Sequence, residues 1–340
     1  MELLERIGVE HPVVQAGMGG GIAGADLAGA VSAAGGLGTV GLLGPGALRD
    51  ELRRAGEIAG GRPVAANLLV PFTRRAHVEA CAEGGAAVVV LFFGFDRRLV
   101  EGLRERGMLV VHQVGTVDGV KRALDEGADG VIAQGVEAGG HLHGTERLES
   151  FLPRALAAAG GRPVLAAGGI ARRADVERVL AAGAAAAVAG SRFLLTDESR
   201  AHPEYKRRAL GATRTIDTKL FGFGWPDRHR VLPNAATERW ERHARLTGAL
   251  TAPTRALGRV LPVAGAMKMM SLQAAWLPLF GPAAPLEGMP DRLIEVTPLY
   301  AGESVRAIRA VVPAAEATRE LAGAAPRRRA APGGAARGRM

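Results

Sequence analysis

Val88-Val89-Val90-Leu91-Phe92-Phe93 is apolar at every position, and Leu109-Val110-Val111 repeats the pattern. A strand with one wet face alternates apolar and polar residues. A run with no alternation is buried on both faces, as in parallel sheets covered by helices. Working outward, candidate strands begin near Val13, Leu37, Val64, Ala87, Met108, Gly130, Val164 and Ala185. Between them lie stretches of helical period: Asp26–Ala34, Leu48–Ala59, Arg74–Glu83, Arg97–Arg106, Val117–Glu126, Leu148–Ala159 and Arg172–Ala181. Eight strand–helix units of roughly 25 residues predict an α/β fold of the (β/α)8 TIM-barrel class. An open doubly wound sheet is the competitor, but eight regular units leave little reason for a free edge.

One unit is longer than the others. The sixth and seventh strands begin at Gly130 and Val164, and the excess is Gln134-Gly135-Val136-Glu137-Ala138-Gly139-Gly140-His141-Leu142-His143-Gly144. Glycines, two histidines and a carboxylate are poor packing material, so a glycine cluster here marks a close approach of backbone to a partner. We read that partner as a flat cofactor. Catalytic groups of this fold sit at the carboxyl ends of strands, which places His141 as the general-base candidate, with His143 its neighbour. A metal site of Glu137, His141 and His143 lacks a supporting element, since all three sit on one glycine loop.

Ala166-Ala167-Gly168-Gly169-Ile170 and Val188-Ala189-Gly190-Ser191-Arg192-Phe193 close the seventh and eighth strands. Loops at these strands form the recurrent phosphate cradle of such barrels, where a Cβ would collide with phosphate oxygens. Asn67, Gln113 and Gln134 fall at or near the ends of the third, fifth and sixth strands. Each amide offers a donor and an acceptor, suited to the polar edge of a bound heterocycle or, in the alternative, to the backbone of a neighbouring loop.

Beyond Asp197 the rhythm stops. The organisation expected is a barrel over 1–196, a smaller, mainly helical subdomain over 197–293, a return to the barrel over 294–322, and a disordered basic tail over 323–340. Within the subdomain, Pro203–Thr213, Ala235–Leu246 and Ala266–Gln273 look helical, while Thr218–Pro226 looks like an irregular aromatic loop.

The formal charge of +9 owes much to the tail, which carries Arg327, Arg328, Arg329, Arg337 and Arg339 and no acid after Glu320. Elsewhere the basic residues are mixed with acidic ones, and aromatics are only 4% of the chain, so bases have few platforms on which to stack; no nucleic-acid partner is expected. No apolar run is long enough to span a bilayer and the first residues carry no apolar leader, so a cytoplasmic protein without a membrane partner is expected. The single cysteine, Cys81, excludes an intramolecular disulfide and falls inside a helix, where a buried packing role is expected.

The sixth-strand motif Gln134–His141, preceded by Gly127-Ala128-Asp129-Gly130, resembles that of the nitronate monooxygenase family, formerly called 2-nitropropane dioxygenases. Pro12–Met18, Ala33–Gly38, Ala66-Asn67-Leu68, Ala167–Ile170, Gly190–Phe193, Gly224-Trp225-Pro226 and Tyr300-Ala301-Gly302 match in order, over about residues 8–320. Bacterial enoyl-acyl-carrier-protein reductase II is similar in the same segments. The resemblance implies an FMN-binding barrel with a helical lid, in which Met18, Asn67, Gln134, Gly139, Gly169, Gly190 and Ser191 contact FMN and His141 is the base. Gln113 and Gly168 join that set from the strand-end amides and the phosphate cradle. The implied reaction is oxidation of alkyl nitronates or nitroalkanes by molecular oxygen, to a carbonyl compound and nitrite, by a monomer or homodimer. An NAD(P)H-dependent flavin reductase of enoyl thioesters or similar alkenes is the alternative. The chain departs from the family at Leu142-His143-Gly144, where a short basic or polar continuation is usual, and at Gln113, where some members also lack lysine.

Overall fold

The computed structural model describes residues 2–222, 227–243, 273, 276 and 280–323. The Gly224-Trp225-Pro226 motif, the expected helix at 266–273 apart from Gln273, the end of the helix expected to reach Leu246 and the basic tail from residue 324 lie outside them.

Eight parallel strands form the barrel: β1 (Val13–Gln15), β2 (Gly38–Val40), β3 (Val64–Leu69), β4 (Val88–Phe92), β5 (Leu109–Val114), β6 (Gly130–Gln134), β8 (Val164–Ala167) and β9 (Ala186–Ala189). The strand β7 (Gly140–Leu142) lies in the long sixth loop and belongs to a second sheet. Barrel order is β1-β9-β8-β6-β5-β4-β3-β2, and the two ends meet through the parallel bridge Val14–Leu37, where Leu37 N–H donates to Val13 O and Gln15 N–H to Leu37 O, both 2.9 Å. The TIM-barrel expectation therefore holds.

Side-chain alternation sorts the strands into two layers of core. Val14, Leu37, Ala65, Val88, Val90, Val111, Ile132, Leu165 and Val188 point inward and pack together, with Leu3 and Leu4 of the short helix α1 (Glu2–Glu5) in the same cluster. The other face of each strand packs on helices: α2 (Ala25–Ala33), α3 (Pro45–Ile58), α4 (Arg75–Glu83), α5 (Arg97–Arg104), α6 (Val117–Asp125), α7 (Leu148–Ala159) and α8 (Arg173–Ala181). All five residues of β4 are buried, as a strand covered on both sides requires. His112 is outward: it is buried against this helical layer, stacked on Phe95 with centroids 4.7 Å apart. Cys81 is fully buried on α4, and burial pushes its thiol up to about 12, so it is an inert packing group.

After β9 come the single turn α9 (Ser191–Leu194), α10 (Pro203–Leu210), the strands β10 (Ile216–Thr218) and β11 (Arg228–Val231), and α11 (Ala235–Trp240). The pairing β10-β11-β7 is antiparallel. The reading of 218–226 as irregular loop thus missed a ribbon that flanks it; its register depends on β7, far away in the chain, and no local periodicity marks it. The helix α12 (Ala314–Ala322) packs Ala314, Ala317 and Leu321 into the barrel's outer core.

Candidate active site

Continuing the inward alternation to the carboxyl ends of the strands brings Ala16, Asn67, Phe92, Gln113, Gln134, Ala167 and Gly190 to the mouth of the barrel. They line one cavity of about 320 Å³, together with Met18, Gly139, His141, Gly168, Gly169 and Ser191. All ten residues singled out in the sequence meet there. Tyr205 and Tyr300 cover it from the segments after the barrel. Among the described residues the lining carries no Asp, Glu, Lys or Arg.

The glycine loop owes its composition first to the protein's own backbone. A Cβ on Gly139 would lie 2.5 Å from Gly302 N and 2.6 Å from Ala301 C, and one on Gly302 would lie 2.7 Å from Glu137 O. A Cβ on Gly135 would strike the Glu137 carboxylate and Leu148 N. That buried carboxylate accepts Leu148 N–H at 3.0 and 3.1 Å, capping α7, and pairs with Arg147 at 3.4 Å. Glu303 N–H donates to Glu137 O at 2.9 Å, which ties the returning chain to the loop.

The glycines expected to form a phosphate cradle differ. Gly168 (φ +123°) and Gly169 (φ +73°) hold a backbone that side chains resist, and a Cβ on Gly190 would meet only Ala16 Cβ, at 3.7 Å. Ser191 Oγ accepts Gly302 N–H at 2.9 Å, which leaves its own O–H free to donate.

Of the three amides, Asn67 donates to Val90 O at 3.2 Å, and Gln134 donates to His141 O at 2.9 Å while accepting His143 N–H at 3.3 Å. Gln113 has no protein hydrogen-bond partner among the described residues and lines the cavity half-buried.

His141 sits on β7, half-buried, with ring centroids 5.4 Å from Tyr300, 5.6 Å from Phe93 and 5.6 Å from His229. Its Nε2 is buried with no hydrogen-bond partner among the described residues, and burial lowers the ring to about 4, so it is neutral at pH 7. Phe93, at the end of β4, has φ +57°, the one non-glycine residue with positive φ among those described; a bulky residue is strained there, and the strain lies against the imidazole. His143 is exposed and does not line the cavity.

Two neighbours of His141 were not among the candidate site residues: His229 carries no signal in the sequence, and Tyr300 enters only through the family-like segment Tyr300-Ala301-Gly302. His229 is fully buried on β11, and its Nε2 accepts Phe221 N–H at 3.2 Å. Burial, then the neighbouring His141, holds it well below the usual histidine range. Tyr300 donates to Pro282 O at 2.7 Å, its carbonyl accepts the Tyr205 hydroxyl, and burial raises its phenol. Only the pairing of β7 with β11 and the chain's return past residue 300 bring them to the rim.

The nitronate monooxygenase family model matches residues 1–79 and 70–275. A (3aS,4S,5R,7aS)-5-hydroxy-7a-methyl-1-oxo-octahydro-1H-indene-4-carboxyl-CoA dehydrogenase of Mycobacterium tuberculosis is 35% identical over 72% of this chain and 70% of its own. A nitronate monooxygenase of Pseudomonas aeruginosa is 33% identical over 63% of this chain and 74% of its own. The solved structure of nitroalkane oxidase from Streptomyces ansochromogenes superposes with a TM-score of 0.75 at 28% identity, covering 94% of this chain and 97% of that one.

Proposed function

The chain belongs to the nitronate monooxygenase family and is an oxidoreductase, and from that membership and the geometry of the rim we propose that it binds FMN and oxidises alkyl nitronates with molecular oxygen to a carbonyl compound and nitrite. The observation that carries the reading is that His141, Gly169 and Ser191 line a single cavity, so one flat ligand could meet the cradle and the imidazole together.

The residues fit a flavin mononucleotide. Gly168, Gly169 and Gly190 present backbone without side chains, Ser191 retains a hydroxyl donor, and the unpartnered Gln113 amide can pair with a heterocycle's polar edge. When bound, FMN would supply the electron-transfer chemistry. The chain's own work is to orient, to exclude water and to handle a proton. Leu69, Phe72 and Phe92 give the cavity an apolar wall that favours a small organic body over bulk water.

His141 enters the reaction neutral, the form able to take a proton from the carbon of a nitroalkane. Burial makes it a weak base, and an anion forming beside it restores part of its basicity. A preformed nitronate needs no such step. His141→Asn should therefore abolish turnover of neutral nitroethane and largely spare ethylnitronate, followed as aerobic nitrite release. Equal loss with both substrates would remove His141 from the role of base.

A second reading, an NAD(P)H-dependent flavin reductase of enoyl thioesters or similar alkenes, has behind it the similarity to a carboxyl-CoA dehydrogenase and the lack of charged side chains in the cavity lining among the described residues. Anaerobic mixing separates the two. Bleaching of the flavin by nitronate alone supports the oxidase, and rapid bleaching by NAD(P)H supports the reductase.

A further inference from the structure

Gln134 is the joint between the two sheets. Its main chain belongs to the barrel, in register with Ala167 of β8, while its buried side chain reaches the second sheet. The amide donates to His141 O at 2.9 Å and accepts His143 N–H at 3.3 Å. In an extended strand the N–H and C=O of alternate residues point to the same edge, so the carbonyl of His141 and the N–H of His143 are the two groups a neighbouring strand would bind. The amide takes that neighbour's place. The opposite edge of β7 is occupied by β11, in the register Arg228–Leu142 and Arg230–Gly140. The strand that carries His141 is thus held along both edges.

The grip matters because the ring has little else to hold it. Among the described residues its Nε2 has no hydrogen-bond partner. Its setting comes from the three ring neighbours and from where the backbone places the Cα.

We propose that Gln134 is the positioning residue of this site, acting on the reacting imidazole through the main chain of β7. This rests on the reading of His141 as the reacting group. It also changes what Gln134 contributes to a cofactor: with one N–H and one lone pair engaged within the chain, its amide is primarily a clamp.

The test uses the full chain in its FMN-loaded form, with Gln134→Leu, which removes both bonds at similar size, and Gln134→Glu, which keeps an acceptor for His143 N–H and loses the donor to His141 O. Amide hydrogen exchange over 140–147 should speed up about tenfold or more in the leucine variant and less in the glutamate variant. On nitroethane, kcat should fall about 10- to 100-fold, the scale of a misplaced catalytic group, with KM within about threefold, while turnover of ethylnitronate, which needs no base, stays largely unchanged. Added to His141→Asn, Gln134→Leu should cost nothing further, because the two act as a unit. FMN affinity should stay within about threefold of the parent.

Unchanged exchange overturns the clamp. A drop in FMN affinity with equal losses of activity in both backgrounds makes the amide a cofactor contact instead. Full activity of His141→Asn on both substrates refutes the role of His141, and the exchange data still decide the clamp by themselves. Should the leucine variant fail to fold, Gln134→Glu carries the same readouts.

Discussion

His141 and His229 are register partners across the β7–β11 ladder, their ring centroids 5.6 Å apart and their planes inclined at 63°. The second ring is buried deeper than the first and is anchored by Phe221 N–H, so the wall behind the His141 imidazole is itself a fixed, neutral histidine.

Replacing that wall should cost stability. His229→Phe keeps an aromatic ring but strands a buried N–H, at about 1–3 kcal/mol. Thermal melting should show a midpoint several degrees lower, and restoration of an acceptor with His229→Gln should recover part of it. An unchanged midpoint in His229→Phe would mean that Phe221 N–H is not held by this ring.

Acid should weaken the fold in a defined window. An unfolded imidazole takes a proton near 6.5, whereas burial delays uptake to about 4 in His112 and His141 and holds His229 well below 6.5. Between those values the unfolded chain binds more protons, so stability is full above pH 6.5 and is lost as pH falls toward 4. His112 alone accounts for about 3 kcal/mol across the window. Urea midpoints at pH 7.5, 6.5, 5.5 and 4.5 should decline accordingly, and His112→Phe should make the decline shallower. A flat profile down to pH 4.5 would contradict the buried neutral state.

Two glycines should separate packing from ligand binding. Gly139→Ala drives a Cβ into the backbone of Gly302, and neither segment can step aside cheaply, so a loss of about 3 kcal/mol is expected. Gly190→Ala has ordinary φ of −104° and room for its Cβ, so its melting midpoint should hardly move. FMN titration of Gly190→Ala should nevertheless show weakened binding, since the new methyl would stand on the proposed cradle. Unaltered FMN affinity would take Gly190 out of the cradle.

Glu137 should prove structural, not catalytic. Glu137→Ala removes the cap of α7 and the partner of Arg147, a cost of about 1–2 kcal/mol in denaturant titration. Glu137→Gln, which keeps an acceptor for Leu148 N–H, should recover most of that. A loss of activity in Glu137→Gln with unchanged stability would instead assign the carboxylate to the chemistry.

The barrel was legible because its information is local. Unbroken apolar runs such as Val88–Phe93, each followed by a helical period, report burial on both faces whatever lies elsewhere in the chain. The strand-end rule then carried Asn67, Gln113, Gln134, Gly169 and Ser191 to one rim from their positions alone. The glycine loop was recognised as a close approach, but its immediate partner is protein: Gly139 against Gly302, and Gly135 against the Glu137 carboxylate.

What the chain's order of residues determined by itself was a period, hence eight units, and the end of each unit at which polar groups collect. Tertiary structure alone decided which groups share a wall. His229, Tyr300 and the second sheet reach His141 through contacts between segments far apart in sequence, and Gln134 could be told apart as a clamp only once its amide was seen against the backbone of β7. A repeating pattern is written in neighbouring residues, whereas a pairing between distant ones leaves no mark on either until the chain has closed the loop between them.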